Sequence, residues 1–212
     1  MSGFLPKRSF VTGLVLAAGG SQRLGAPKQL LEYGNGTLLD QVLNTARACD
    51  FDQLVCVIGG AADEIRERVD LRNATVVENR HFGEGCSSSI AAALTAVDSK
   101  ADVLVLMLGD QPGVTPPTVN ALIAGRNNAP LAACAYEDGR GHPLAFARST
   151  FKDLQALHGD KGVWKLLDRH AEQVVDVPVP GRIPRDVDTE EDYRAVLAEH
   201  EKPGRSNTVA LG

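Results

Sequence analysis

The chain has 212 residues, 43% of them hydrophobic, and a formal net charge of −5. That length and composition suit one globular domain with a sizeable core. The acidic balance speaks against general binding to nucleic acid or to an anionic membrane surface, and no apolar run approaches the roughly 20 residues that cross a bilayer.

Met1 to Arg8 reads as lacking the long apolar centre of a secretion signal. Phe10 to Ala17 is near-continuously apolar and ends at glycines, the pattern of a buried parallel strand. It runs into Gly19-Gly20-Ser21, with Arg23 and Lys28 close behind. Glycines let a ligand approach the main chain, and backbone N–H groups beside two cations suit a polyphosphate. An ordinary strand-to-helix turn with two solvated cations fits the same residues. The loop matches neither G-x-x-x-x-G-K-[ST] nor G-x-G-x-x-G.

Thr37 reads as a helix N-cap with Asp40 completing a capping box, and Leu38, Leu39, Val42, Leu43 and Ala46 follow at helical spacing. Leu54 to Ile58 predicts a second strand, Ala62 to Val69 an amphipathic helix and Thr75 to Val77 a short third strand. Gly83 and Gly85 predict a turn, and Ser87, Ser88 and Ser89 open an alanine-rich helix over Ile90 to Val97. One serine suffices for a cap, which leaves others to bind a ligand.

Val103 to Leu108 is the most apolar stretch and predicts the central strand. It ends at Gly109-Asp110-Gln111-Pro112, where open α/β sheets bind ligands. Thr115 and Pro116 start a helix. Leu131 to Ala135 predicts a strand, Glu137 to Pro143 a polar loop and Leu144 to Ala147 a further short strand. Helices are expected over Ser149 to Leu157 and Gly162 to Arg169, around the turn at His158 to Lys161. In the second of these, Trp164 with Leu166 and Leu167 reads as core. Gln173 to Val177 is the last strand, and Thr189 caps a final helix. From Lys202 the pattern is lost, so one domain over 1–201 with a mobile tail over 202–212 is expected. The alternation predicts an α/β fold: three layers, with a doubly wound, mostly parallel sheet between helices on both faces.

Cys49, Cys56, Cys86 and Cys134 contain no C-x-x-C pair and read as reduced thiols of a cytoplasmic protein. Asp110 and the segment Asp186-Val187-Asp188 supply carboxylates opposite the cationic glycine loop. Together these suit a Mg²⁺–nucleoside triphosphate site, because Mg²⁺ takes one or two carboxylates and completes its shell with phosphate and water. Simple capping of the last helix also accounts for Asp186 and Asp188.

The stretch L-A-A-G-G-S-Q-R-L-G-A-P-K-Q-L-L resembles the signature loop of the nucleotidyltransferases, L-A-A-G-x-S-x-R-M-G-x-x-K, with Leu24 where methionine is common. Asn79 through Ser89, Gly109-Asp110-Gln111-Pro112, Gly139 through Pro143, His158 through Gly162 and Asp186 through Asp192 agree in the same order. Over residues 10–198 the chain resembles the molybdenum cofactor cytidylyltransferase branch of the MobA-like NTP transferases, which implies their Rossmann-like fold, that of nucleotide-diphospho-sugar transferases. The resemblance implies transfer of CMP from CTP to the terminal phosphate of molybdopterin or molybdenum-bound molybdopterin, with release of pyrophosphate. It implies Mg²⁺, with Mn²⁺ as an alternative, and a molybdenum hydroxylase apoenzyme as a further partner. GTP-using relatives resemble L-A-G-G, so Ala17-Ala18 points to cytosine.

The resemblance also assigns roles. Gly19, Gly20 and Ser21 bind phosphates, Arg23 and Lys28 act on the triphosphate, and Asp110 and Asp188 hold the metal. Ala17, Ala18, Ser87, Ser88 and Ser89 face the base, and Arg140, His142 and Asp160 face the acceptor. The alternatives are transfer to another phosphate acceptor or from GTP, an NAD(P)H-binding oxidoreductase on the same fold, and a carrier that hands molybdopterin to an apoenzyme.

Overall fold

The computed structural model describes residues 8–21 and 24–201. The first strand, β1 (Val11–Ala17), is buried along almost its whole length because protein covers both of its faces. A short hairpin, β2 (Glu32–Tyr33) and β3 (Gly36–Thr37), leads into helix α1 (Leu38–Arg47). The Thr37–Asp40 capping box forms as the spacing predicts. There follow β4 (Gln53–Ile58), α2 (Ala62–Arg68), β5 (Thr75–Glu78), α3 (Cys86–Leu94), β6 (Val103–Leu108) and α4 (Pro116–Gly125). The chain continues through β7 (Leu131–Tyr136), β8 (Gly139–Ala147), α5 (Phe151–Gln155), α6 (Gly162–Arg169), β9 (Val174–Pro178) and α7 (Glu190–His200).

Among the described residues seven strands form one sheet in the order β5-β4-β1-β6-β8-β7-β9. Strand β8 runs antiparallel to both β6 and β7, and the other pairings are parallel. Alternate residues of each central strand serve opposite faces. Val15, Cys56 and Val105 pack with Leu39 and Leu43 of α1 and Leu122 of α4. Leu14, Val55 and Leu104 pack with Ile90 of α3 and Leu166 of α6. This period of two, read against helices on both faces, makes the three layers.

The chain moves outward from β1 to β4 and β5, then returns to β6 on the other side of β1. Such a reversal opens a crevice at the carboxyl ends of the strands. Its floor is built of small residues. A Cβ on Gly109 would stand 2.9 Å from the Ala17 Cβ, and one on Gly59 would stand 2.7 Å from the Ala18 carbonyl oxygen. Neighbouring strand ends can therefore close onto Ala17 and Ala18 only as glycines.

Two parts differ from expectation. Glu137 to Pro143 is a hairpin, not a loop: Arg140 and Gly141 already pair with β7. Its glycines and Pro143 hide the alternation that marks a strand. The hairpin β2–β3 has too few residues to show a period. It matters because Tyr33 and Leu38 pack with Val187 and Val196 in a separate apolar cluster. Val187 is fully buried there, worth about 1.5–3 kcal/mol, which fixes the aspartates on either side of it. Among the described residues no helix is long and apolar enough to cross a membrane. The segment over 202–212, and with it the expectation of a mobile tail, lies outside the described residues.

Candidate active site

A cavity of about 870 Å³ occupies the crevice, a size suited to small-molecule ligands. Ala17, Ala18, Gly19, Gly20 and Ser21 line one wall. The loop owes its shape to Gln29, a buried side chain whose Nε2 donates to the carbonyl oxygens of Ala17 and Gly19, each at 2.9 Å. Ser21, at a φ of 50°, accepts the Lys28 N–H on its Oγ at 2.8 Å. Arg23 lies outside the described residues.

Gln29→Ala removes both clamps and leaves two carbonyls short of a donor. The variant should lose about 1–3 kcal/mol of stability, and its nucleotide affinity should fall about tenfold, the equivalent of roughly 1.4 kcal/mol. Thermal unfolding and nucleotide titration check both.

Opposite the loop, Lys28 Nζ donates to Asp110 Oδ2 at 2.5 Å and to Asp188 Oδ1 at 2.8 Å. Burial opposes the Lys28 charge, but the two carboxylates outweigh it and hold the ammonium above the usual lysine range. Asp110 stands at the end of β6, and its carbonyl oxygen accepts the Val187 N–H at 3.2 Å. Gln111 Nε2 donates to the Pro184 carbonyl at 3.1 Å, a second tie between the strand end and the aspartate segment. Asp188 precedes Thr189, whose capping box with Asp192 starts α7. Helix capping and convergence on the cavity thus coexist in one segment.

Asp186 also lines the cavity. It is open to water on one side, and the concave wall crowds its carboxyl on the other. That partial burial, with the charge of Asp110, pushes it up to about 6, against the pull of Gln111 and Lys28.

Two carboxylates that share one ammonium can also share one hard cation, and oxygen donors suit Mg²⁺ or Mn²⁺. Among the described residues no three His, Cys, Asp or Glu side chains cluster as a metal site. A cation at Asp110 and Asp188 would therefore need further oxygens from phosphate and water. The residues fit the group on those terms.

The serines are placed differently from one another. Ser87 Oγ donates to the Gly159 carbonyl at 2.5 Å, and Ser88 Oγ donates to the Gly85 carbonyl at 2.8 Å. Ser89 lines the cavity. Asn79 Nδ2 donates to Ser88 Oγ and Ser89 Oγ, each at 2.9 Å. Of the three, Ser89 is on the cavity wall, while the hydroxyls of Ser87 and Ser88, in the first turn of α3, are held by backbone carbonyls. Asp160 lines the cavity and caps α3, its Oδ1 accepting the Cys86 N–H at 3.0 Å. A carboxylate at that helix start is favoured by the helix dipole.

At the far end the antiparallel β8 brings its first residues to the carboxyl edge of β6. Arg140 lines the cavity but forks onto Asp176 at 2.6 and 2.9 Å. His142 is buried, and burial pushes its imidazole down to about 4. A neutral His142 offers a hydrogen bond and a ring edge rather than a charge. Its ring stands edge-on to Trp164, centroids 5.4 Å apart. Trp164 packs against the core, in keeping with its reading, and also lines the cavity. The amphipathic period placed it beside Leu166 and Leu167, but it sits at the edge of the apolar face.

The buried imidazole has a consequence for stability. Unfolded histidine takes a proton near 6.5, whereas folded His142 resists until about 4. Between those values the unfolded chain binds more protons, so stability present above about 6.5 is lost as the pH falls towards 4. His142→Asn should flatten this slope by up to about 3 kcal/mol, read from denaturant unfolding near neutrality and near pH 4.

Gln29, Gln111 and Phe82 also line the cavity, beyond the residues that the motifs assign. The Phe82 ring would lie 3.3 Å from a Cβ on Gly20 and is the exposed large apolar side chain among the described residues. Its signal was its place in the glycine-rich turn. The glutamines show none, since a buried amide clamp looks like any polar residue in sequence.

The family described as the MobA-like NTP transferase domain matches residues 13–174. The chain belongs to the MobA-like NTP transferase family. It is accordingly a nucleotidyltransferase, with the mostly parallel sheet of that fold. Nicotine blue oxidoreductase of Paenarthrobacter nicotinovorans is 33% identical over 142 residues, 63% of this chain and 69% of that one. The molybdenum cofactor cytidylyltransferase of Escherichia coli is 28% identical over 142 residues, 66% of this chain and 71% of that one. Among solved structures, the Rv0371c homologue of Mycobacterium sp. strain JC1 is 51% identical, covering 91% of this chain and 98% of its own, with a TM-score of 0.85. Rv0371c of Mycobacterium tuberculosis in complex with manganese is 43% identical, covering 90% and 99%, with a TM-score of 0.79.

Proposed function

We propose that this MobA-like transferase moves CMP from CTP to the terminal phosphate of molybdopterin, with or without bound molybdenum, in a cytoplasmic setting. The observation that carries the reading is the convergence of Lys28, Asp110 and Asp188 opposite the glycine loop. The named activity of the Escherichia coli relative supports the choice of CTP and molybdopterin. So does the pair Ala17-Ala18 on the cavity wall, where GTP-using relatives resemble L-A-G-G. The edge-on pair of His142 and Trp164 suits a flat heterocyclic acceptor. A molybdenum hydroxylase apoenzyme is the proposed recipient of the product, and residues 1–201 the proposed catalytic domain.

In this reading the loop backbone at Gly19 to Ser21 orients the β- and γ-phosphates. An acceptor phosphate oxygen bonds to the α-phosphorus, and the bond from the α-phosphorus to the bridging oxygen breaks, releasing pyrophosphate. The acceptor is already ionised, so no residue need remove a proton. Lys28 stabilises charge on the α-phosphate, and Arg23 that on the leaving pyrophosphate. Asp110 and Asp188 would hold the divalent cation, which when bound supplies Lewis-acid stabilisation of the phosphates. Catalysis is then positioning and electrostatics.

The test is incubation with CTP or GTP labelled at the α-phosphate, with and without molybdopterin. The expected result is a labelled dinucleotide from CTP and an equal amount of pyrophosphate, both dependent on molybdopterin. Preference for GTP, or no labelled product, contradicts the proposal. The relative named as an oxidoreductase favours a second reading, a hydride-transfer enzyme. NADPH binding that survives chelation of divalent metal, with no pyrophosphate released from CTP, would establish it instead.

A further inference from the structure

Lys28 is held in an unexpected way for a residue that serves a phosphate. Its Nζ bridges Asp110 and Asp188, the two side chains assigned to the cation. Its side chain is 14% exposed and that of Asp110 17%, so water screens that contact weakly, whereas Asp188, at 40%, faces more solvent. The backbone below it is fixed. The Lys28 N–H donates to Ser21 Oγ, and the Lys28 carbonyl oxygen accepts the Leu31 N–H. The side-chain stem passes the glycine loop, since a Cβ on Gly19 would lie 3.9 Å from Lys28 Cε. The ammonium can therefore turn from the carboxylates towards phosphates on that loop while the main chain stays in place.

We propose that Lys28 is a resident counter-ion of the Asp110–Asp188 pair, which a divalent cation must displace, and that nucleotide phosphates supply the ammonium with its new partner. The inference rests on the assignment of Asp110 and Asp188 as the cation seat. An ammonium and a divalent cation on the same oxygens repel each other, and an ammonium with no anion would be stranded in a part-buried site. The free protein should then bind metal weakly, and metal and nucleotide should favour each other's binding.

The experiment is Mn²⁺ binding without nucleotide, followed by electron paramagnetic resonance of free Mn²⁺ and by calorimetry. Wild type is compared with Lys28→Met, Lys28→Gln and Asp110→Asn, each shown to be folded by circular dichroism. Lys28→Gln keeps hydrogen-bond donors beside the carboxylates, so it stands in if Lys28→Met unfolds. Both Lys28 variants should bind Mn²⁺ at least about tenfold more tightly than wild type, because they lose a competing charge, and Asp110→Asn should lose most binding. Lys28 variants equal to or weaker than wild type, with Asp110→Asn still defective, overturn the displacement and leave the seat. Binding that survives Asp110→Asn overturns the seat and the displacement with it.

Discussion

Replacing Asp110 by alanine is expected to lower the turnover of pyrophosphate release by roughly 100-fold or more at saturating Mg²⁺, the cost of losing one preorganised electrostatic group. The side chain stands at the end of the central strand β6, on the cavity wall, and turns to Lys28. Its main chain serves a different purpose, since the carbonyl oxygen takes the Val187 N–H. Alanine keeps that tie, so the aspartate segment stays in place. Lys28 keeps Asp188 as a partner, so no buried charge is stranded. The variant should consequently stay folded, with a melting temperature close to wild type. Near-normal turnover would remove Asp110 from the reaction, and a collapsed melting temperature would make its role structural.

Gly85→Ala should be the most destabilising single-methyl change near the cavity. Gly85 precedes α3 at φ 97° and ψ 175°, a backbone region that side-chain-bearing residues essentially avoid. An added Cβ would also stand 2.8 Å from Asp160 Oδ1 and 2.8 Å from the Gly159 carbonyl carbon. Strain and clash together should cost about 3 kcal/mol or more, a fall in melting temperature of roughly 6–12 °C for a chain of this size. The 159–160 turn must move, which takes the cap from the Cys86 N–H and the partner from Ser87 Oγ. Nucleotide affinity should fall with it, since Ser89 lies on the same helix. Gly83→Ala is the control: a Cβ there meets nothing within 4 Å, so its melting temperature should hardly change. Equal effects at the two positions would contradict this account of the turn.

Much of the fold is legible in the sequence because burial leaves a period. The apolar runs of β1 and β6, the capping box at Thr37 and the helix cap at Thr189 lie where their patterns put them. The hairpin carrying Arg140 and His142 is not, because glycines and Pro143 blur its alternation. Nor is the hairpin at Glu32 to Thr37, whose partner, α7, lies far along the chain.

The site divides in the same way. Lys28, Asp110 and Asp188 sit in ordered motifs, and the structure brings them together across 82 and 160 residues of sequence. Gln29 is next to Lys28, yet its clamp on Ala17 and Gly19 depends on a folded loop. The lowered proton affinity of His142 and the place of Trp164 on the cavity wall also follow from packing around them, which residue types alone do not encode.

Both the proposed transfer and the exchange at Lys28 turn on where a divalent cation binds. The most direct measurement is a crystal of this chain grown with Mn²⁺ and a non-hydrolysable CTP analogue, with manganese located by its anomalous scattering. The account predicts one peak in direct contact with carboxylate oxygens of Asp110 and Asp188 and with the analogue's phosphates, with Lys28 turned onto a phosphate. Manganese bound elsewhere, with Lys28 still bridging the two aspartates, would contradict it.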